Sequence, residues 1–146
     1  EEPLLNVYAD SSFLVSPYVQ DSHRVDFLAR ISMRPAIWVT PFHKAEVAHA
    51  IYLHVFLKKL SPDAAKNAWS EFQQDCLAGV WISVNLPEAA WETSIDQARK
   101  YGPVLGVRTL DSLHVACALE LKAERFWTFD ERQARLAEAV GLNTTP

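Results

Sequence analysis

Four acidic residues, Asp10, Glu46, Asp111 and Asp130, hold the positions in this 146-residue chain best suited to chemistry. Asp10 ends the first apolar run, in Val7-Tyr8-Ala9-Asp10-Ser11-Ser12. Asp130 ends the last strong one, in Phe126-Trp127-Thr128-Phe129-Asp130. Glu46 and Asp111 each fall in the first turns of a helix. If the apolar runs are neighbouring parallel strands, the four carboxylates meet at one end of a sheet. Anions gathered in this way repel and raise one another's pKa. Divalent cations offset that repulsion, and an all-oxygen donor set favours Mg²⁺ or Mn²⁺ over zinc. Such ions activate a water for attack on phosphorus and neutralise charge on the leaving oxygen. The expectation is a metal-dependent enzyme acting on phosphates.

Each acid also has a structural reading. Asp10 and Asp130 suit helix caps, and Asp111 is a favourable anion in a first turn. Glu46 is harder to explain this way. It lies more than a turn past the Thr40 cap, beside a wholly apolar stretch, and needs a partner, a cation or solvent.

The elements that must position these residues follow from the pattern. Residues 4–9, apolar except for Asn6, predict a strand buried on both faces. Asp21-Ser22 opens a helix with Val25, Leu28, Ala29 and Ser32 at helical spacing, stopped by Arg34-Pro35. Residues 37–39 form the second strand. Thr40-Pro41 is an N-cap followed by Pro at the first helical position, starting a helix to about Leu60. Over 47–57 its apolar residues cover nearly the whole circumference. One of its buried sides is therefore expected to face another chain.

Ser61-Pro62-Asp63 restarts a helix to Leu77, closed by Gly79. Residues 80–84 read as a third strand containing Trp81 and Ile82. Leu86-Pro87-Glu88 begins a helix to Tyr101 that Gly102-Pro103 breaks, leaving 104–107 as loop or a fragment of strand. Thr109 caps a helix over 110–122, and 126–129 is the fourth strand. Asp130 caps a helix over 131–140 that Gly141 ends, and 142–145 is open as an edge strand. Strands alternating with helices predict one α/β domain over residues 1–146, with a mainly parallel sheet covered on both faces. Sites in such sheets form beyond the strands' carboxyl ends, near the switch in strand order.

Other residues compete for roles. His43, Glu46 and His49 fall at three-residue steps, whereas a zinc-protease helix needs two His four apart around Glu. His54 reads as packing or a partner contact. His114, three residues after Asp111 on the same helix face, is expected to orient that carboxylate. Trp38, Trp81 and Trp127 fall in strands and read as core. Cys76 and Cys117 lack metal-ligand spacing and read as buried thiols. With only four glycines there is no phosphate-cradling loop. Lys44, Arg108, Arg132 and Arg135 lie near the acids. They read as solvated or ion-paired, or as holding the phosphates of a flexible strand, Arg108 foremost.

Composition, 49% hydrophobic and 22% charged, is that of an ordinary globular domain. A net charge of −4 argues against broad coating of nucleic acid, though not against local binding through metals and a few cations. No apolar run approaches the ~20 residues of a membrane span, and the N-terminus is unlike a signal peptide. The expectations are no membrane partner and a cytoplasmic location.

The segments Asn6-Val7-Tyr8-Ala9-Asp10-Ser11-Ser12-Phe13-Leu14-Val15 and Arg108-Thr109-Leu110-Asp111-Ser112-Leu113-His114-Val115-Ala116-Cys117-Ala118 resemble the first- and third-acid motifs of PIN-domain proteins. Glu46 stands where that family's second acid does. Thr128-Phe129-Asp130-Glu131-Arg132-Gln133 resembles the final motif, and Ala139-Val140-Gly141-Leu142 the usual ending. The resemblance spans essentially the whole chain, and four short motifs in order form a strong joint signal. Within the family the chain looks like the VapC-type toxins of bacterial toxin–antitoxin pairs. Ser16 departs from the pattern, standing where many relatives carry Lys.

The resemblance implies a three-layer α/β/α sandwich on a five-stranded parallel sheet. It further implies Mg²⁺- or Mn²⁺-dependent endoribonuclease activity on tRNA or other structured RNA, a homodimer, and a small antitoxin that blocks the site. On that reading Asp10 and Asp111 are the most direct metal ligands, and Asp130 ligates or orients a second ion. Glu46 positions the attacking water as general base, and in-line attack leaves a 5′-phosphate and a 3′-hydroxyl. Ser12 and Thr128 hydrogen-bond the carboxylates, with His114 in the same supporting shell, while Arg108 and Lys44 hold RNA. Two rivals stand beside this reading. One is a catalytically silent PIN-fold module that binds RNA or protein. The other is an aspartyl phosphatase, which would want a second Asp where Ser12 stands.

Overall fold

A computed structural model of the chain describes residues 5–19 and 21–146. The elements run β1 (Asn6–Ala9), α1 (Ser11–Val19), α2 (Arg24–Ile31), β2 (Ala36–Val39), α3 (Pro41–Phe56) and α4 (Pro62–Leu77). They continue as β3 (Ile82–Ser83), α5 (Ala90–Leu105), α6 (Thr109–Glu120), β4 (Arg125–Trp127) and α7 (Glu131–Ala139). The four strands are parallel in the order β3-β2-β1-β4. From β1 the chain steps one way to β2 and β3, then returns to place β4 on the other side. The strand order therefore reverses between β1 and β4, where an open sheet leaves a crevice.

Successive strand residues point to opposite faces, and both faces here are covered. Val7, Ala9, Ile37, Val39 and Trp127 pack with Phe13 and Leu14 of α1, Phe27 of α2, Val47 and Ile51 of α3 and Phe72 of α4. Tyr8 and Phe126 face the other way, onto Ala90 of α5, Leu113 and Val115 to Ala118 of α6, and Leu136 of α7. This is the α/β/α sandwich read from the sequence. Among the described residues no helix is long and apolar enough to cross a membrane.

Several details differ from expectation. The sheet has four strands among the described residues, not five. The tail over 142–145 does run beside β4, since Phe126 N–H donates to the Asn143 carbonyl at 2.8 Å, but it forms no strand. Residue 4, expected in the first strand, lies outside the described residues. The third strand shortens to two residues, leaving Trp81 buried just ahead of it, and Trp38 is only half-buried. Cys117 is buried, whereas Cys76 is only partly so.

Helix α1 was not expected. Phe13, Leu14, Val15 and Ser16 are all buried, so the segment shows no amphipathic period, and Pro17 sits inside it. Helix α5 was expected to break at Gly102-Pro103 but runs on to Leu105 and ends at left-handed Gly106. A Pro restricts its predecessor partly through that residue's Cβ, which Gly102 lacks. Pro103 leaves one bond of the ladder unmade, to the Arg99 carbonyl, and the helix ends two residues later. At the start of α6, Arg108 rather than Thr109 takes the N-cap position, without a side-chain cap.

Candidate active site

Strand β1 delivers Asp10 to the crevice at the switch point. The Asp10 N–H donates to the Trp127 carbonyl at 3.0 Å, which brings the ends of β1 and β4 level. Ser12 donates to Asp10 Oδ1 at 2.6 Å, Phe13 N–H to the same oxygen at 3.3 Å, and Thr128 to Oδ2 at 2.9 Å. Only 7% of the residue is exposed. Burial pushes the carboxyl above its ordinary value, against the pull of Ser12, nearby His114 and Thr128. The chain has thus buried a carboxylate whose direct partners are all neutral donors.

Glu46 arrives from α3, whose start is fixed to β1 by His43. The Thr40 hydroxyl accepts from His43 N–H at 3.3 Å, and His43 Nδ1 accepts from Thr40 N–H at 3.0 Å, forming a capping box. Nε2 is left to donate to the Ala9 carbonyl at 2.8 Å. Burial holds this imidazole well below its usual pKa, in keeping with a neutral ring. Glu46 follows one turn beyond that weld. Its Oε1 accepts from Ser11 Oγ at 2.7 Å and from His114 Nε2. Burial alone would raise its carboxyl, but the His114 hydrogen bond and electrostatic pull, with Ser11, hold it below the ordinary range.

The other two acids stand at helix N-termini. Asp111, in the first turn of α6, has a side chain 23% exposed and meets Arg108 Nε at 3.4 Å through Oδ2. Asp130 follows β4 and caps α7, its Oδ1 accepting from Arg132 N–H at 2.8 Å and Gln133 N–H at 3.2 Å. The Asp130 N–H in turn donates to Thr128 Oγ1 at 3.0 Å, so Thr128 joins this acid to Asp10. Buried Gln133 donates to the Asp111 carbonyl at 3.2 Å and ties α7 to α6.

All four acids line one cleft of about 230 Å³, together with Ser11, Ser12, Arg108 and His114. A recess of about 480 Å³ adjoins it, where Arg132 and Arg135 of α7 join Arg108, Asp111 and Asp130. Lys44 is elsewhere: it lines a separate cavity with Trp69, Phe72 and Cys76. Residues two apart on a helix do not share a face, so Lys44 cannot flank Glu46. His114 does not reach Asp111; it pairs with Glu46 instead. Ser16 is fully buried and donates to Asp21 at 2.7 Å.

Tyr8, Ser11 and His43 were missed as supporting residues. Tyr8 shares the strand parity of Asp10 and Ser11 adjoins it, so strand alternation held a usable signal for both. For His43 the signal was its third position after the Thr40 cap, where a capping-box partner sits.

The donor chemistry fits a hard cation. The oxygens are carboxylate and hydroxyl, and Asp10 is a buried anion without a cationic side chain bonded to it. Among the described residues, Glu46 Oε2, Asp111 Oδ1 and Asp130 Oδ2 accept no hydrogen bond. No three of the acids, however, stand close enough to enclose an ion by themselves. Mg²⁺ keeps several waters and takes only one or two carboxylates directly, so an open arrangement suits it better than a closed cage.

Comparison with known proteins places this fold. The structure is similar to that of VapC20 of Mycobacterium tuberculosis, described as a Sarcin-Ricin loop cleaving toxin. The TM-score is 0.67 at 14% identity, over 96% of this chain and 98% of that one. It is similar to FitAB bound to an IR36 DNA fragment, with a TM-score of 0.67 at 14% identity over 95% and 93% of the two chains. VapBC2 of Rickettsia felis, bound to a DNA fragment from its promoter, gives 0.61 at 10% identity over 90% and 92%. No curated protein matches the chain by sequence. The PIN domain family model matches residues 7–139, from the second residue of β1 to the last of α7. The chain belongs to the PIN domain family.

Proposed function

We propose that this chain is a metal-dependent endoribonuclease, the toxin of a type II toxin–antitoxin pair, acting on structured RNA such as tRNA. A small antitoxin and a second copy of the chain are its protein partners on this reading. The observation that carries it is the meeting of Asp10, Glu46, Asp111 and Asp130 in one cleft at the switch point of a PIN fold. Likeness to structures of a cleaving toxin and of the VapBC and FitAB assemblies supports it.

Asp10, Asp111 and Asp130 would hold Mg²⁺ or Mn²⁺, which when bound supplies charge neutralisation at the phosphate and lowers the pKa of water. The chain's own groups do the rest. Glu46 is held ionised through Oε1 and keeps Oε2 to orient the attacking water and take its proton. Arg108, 78% exposed at the cleft edge, exchanges its contact with Asp111 for a substrate phosphate. Ser12 and Thr128 fix the Asp10 rotamer. In-line attack then leaves a 5′-phosphate and a 3′-hydroxyl.

The test is RNA cleavage by wild type and Asp111→Asn, each with and without EDTA. Wild type should cut only without chelator, and the variant should fall by about 100-fold or more. Equal cleavage by the two overturns the ligand assignment. The rival reading is a silent PIN-fold binding module. Titration with Mn²⁺ separates them, since a silent site leaves the melting temperature unmoved.

A further inference from the structure

We propose that His114 is the positioning residue for Glu46, locking one carboxylate oxygen so that only the other works on the attacking water. The inference rests on the nuclease reading above and names the side chain that governs its general base. His114 is 2% exposed and held from three directions. The Tyr8 hydroxyl lies 2.7 Å from Nδ1, and Phe42 stacks on the ring at 4.2 Å between centroids and 21° between planes. Nε2 meets Glu46 Oε1.

These partners fix one proton. A carboxylate oxygen only accepts, so Nε2 carries the proton it donates to Glu46. Nδ1 is hydrogen-bonded to the Tyr8 hydroxyl. Ser11 donates to the same Oε1 at 2.7 Å and lies 3.4 Å from Nε2, closing a small ring of donors around one oxygen. Glu46 Oε2 has no such partner among the described residues.

The arrangement is unsuited to carrying protons away. Beyond Nδ1 the chain of groups enters the core at Tyr8, which is fully buried between β1 and α6. It leads inward, not to solvent. What it does fix is where the Glu46 carboxylate points. Helix α6 therefore supplies Asp111 to the cleft and, one turn on, the clamp that sets the acid from α3.

The test is a double-mutant cycle on RNA cleavage with Mn²⁺, using His114→Ala, Glu46→Gln and the double variant, with kcat and KM separated. His114→Ala should lower kcat by about 10- to 100-fold and leave KM nearly unchanged, the loss typical of a supporting partner. In the Glu46→Gln background the same change should cost nothing further. His114→Gln keeps an amide N–H near the Nε2 position and should restore most of kcat. Tyr8→Phe deletes only the hydroxyl and should cost a smaller part of it, so the pair carries the test if His114→Ala does not fold. Full kcat in His114→Ala or Tyr8→Phe, or losses that multiply in the double variant, overturns the proposal. A wild-type chain that leaves RNA intact with Mn²⁺ overturns the nuclease reading, and this proposal with it.

Discussion

The two halves of the cleft hold the same chemical group in opposite ways. The inner pair, buried Asp10 and partly exposed Glu46, is held by side chains, Ser12 and Thr128 on the first and buried Ser11 and His114 on the second. The outer pair, Asp111 and Asp130, stands at helix N-termini, where backbone N–H groups and Arg108 already offset their charge. Rigidity and charge compensation are therefore separated. Within the inner pair Asp10 is well placed but under-neutralised, whereas His114 compensates Glu46 and the helix N-termini compensate the outer pair. A cation bridging the halves would supply to the inner one what the outer one already has.

The largest effect expected of breaking this contrast is at Asp10. Asp10→Asn keeps the shape and removes the charge, and should lower RNA cleavage by about 100-fold or more, measured as kcat/KM with Mn²⁺. Activity near wild type would show that the inner half does no chemistry.

Stability sharpens the contrast next. The folded Asp10 carboxyl titrates above its unfolded value, so its contribution is fully present below the unfolded pKa and lost as pH rises through the folded one. At pH 7 its charge costs stability. Metal-free Asp10→Asn should therefore melt above wild type at pH 7, and the gap should close as pH falls through the carboxylate range. Mn²⁺ at a hundred times its Kd should stabilise wild type by about 2.7 kcal/mol and Asp10→Asn far less. Scanning calorimetry with and without the ion reads both. Identical metal responses would remove Asp10 from the ligand set.

The smallest effect belongs to the outer half. Arg108→Ala breaks an exposed ion pair, so stability should change by less than about 1 kcal/mol. KM for RNA should rise by less than about 10-fold, with kcat nearly kept. A collapse in kcat would mean that Arg108 acts on the transition state rather than on substrate binding.

Much of this is legible in the amino-acid sequence. Buried parallel strands read as apolar runs, and the acids that end β1 and β4 mark their carboxyl ends directly. The Thr40-Pro41 and Asp130 caps announced their helices. What failed was whatever depends on packing across the chain. Spacing along α6 suggested Asp111 as the partner of His114, whereas its real partner, Glu46, is 68 residues away. Helix α1 hid because burial on several sides erases the amphipathic period. The placement of Lys44 was recoverable from helical geometry, since two residues span more than half a turn. The apolar stretch over 47–57 reads as buried on several sides with one facing another chain; Val47 and Ile51 fill the core, and Leu53, Phe56 and Leu57 are exposed in the single chain.

Thr128 reaches back across 118 residues to Asp10, and β1 has β2 on one side and β4 on the other. A ribosome synthesising this chain releases β1 well before Asp130. Until residues 108–130 have emerged, the nascent polypeptide lacks Arg108, Asp111, His114 and Asp130, half of the groups that line its cleft. On the nuclease reading, such a chain does not yet hold a complete site for cutting RNA.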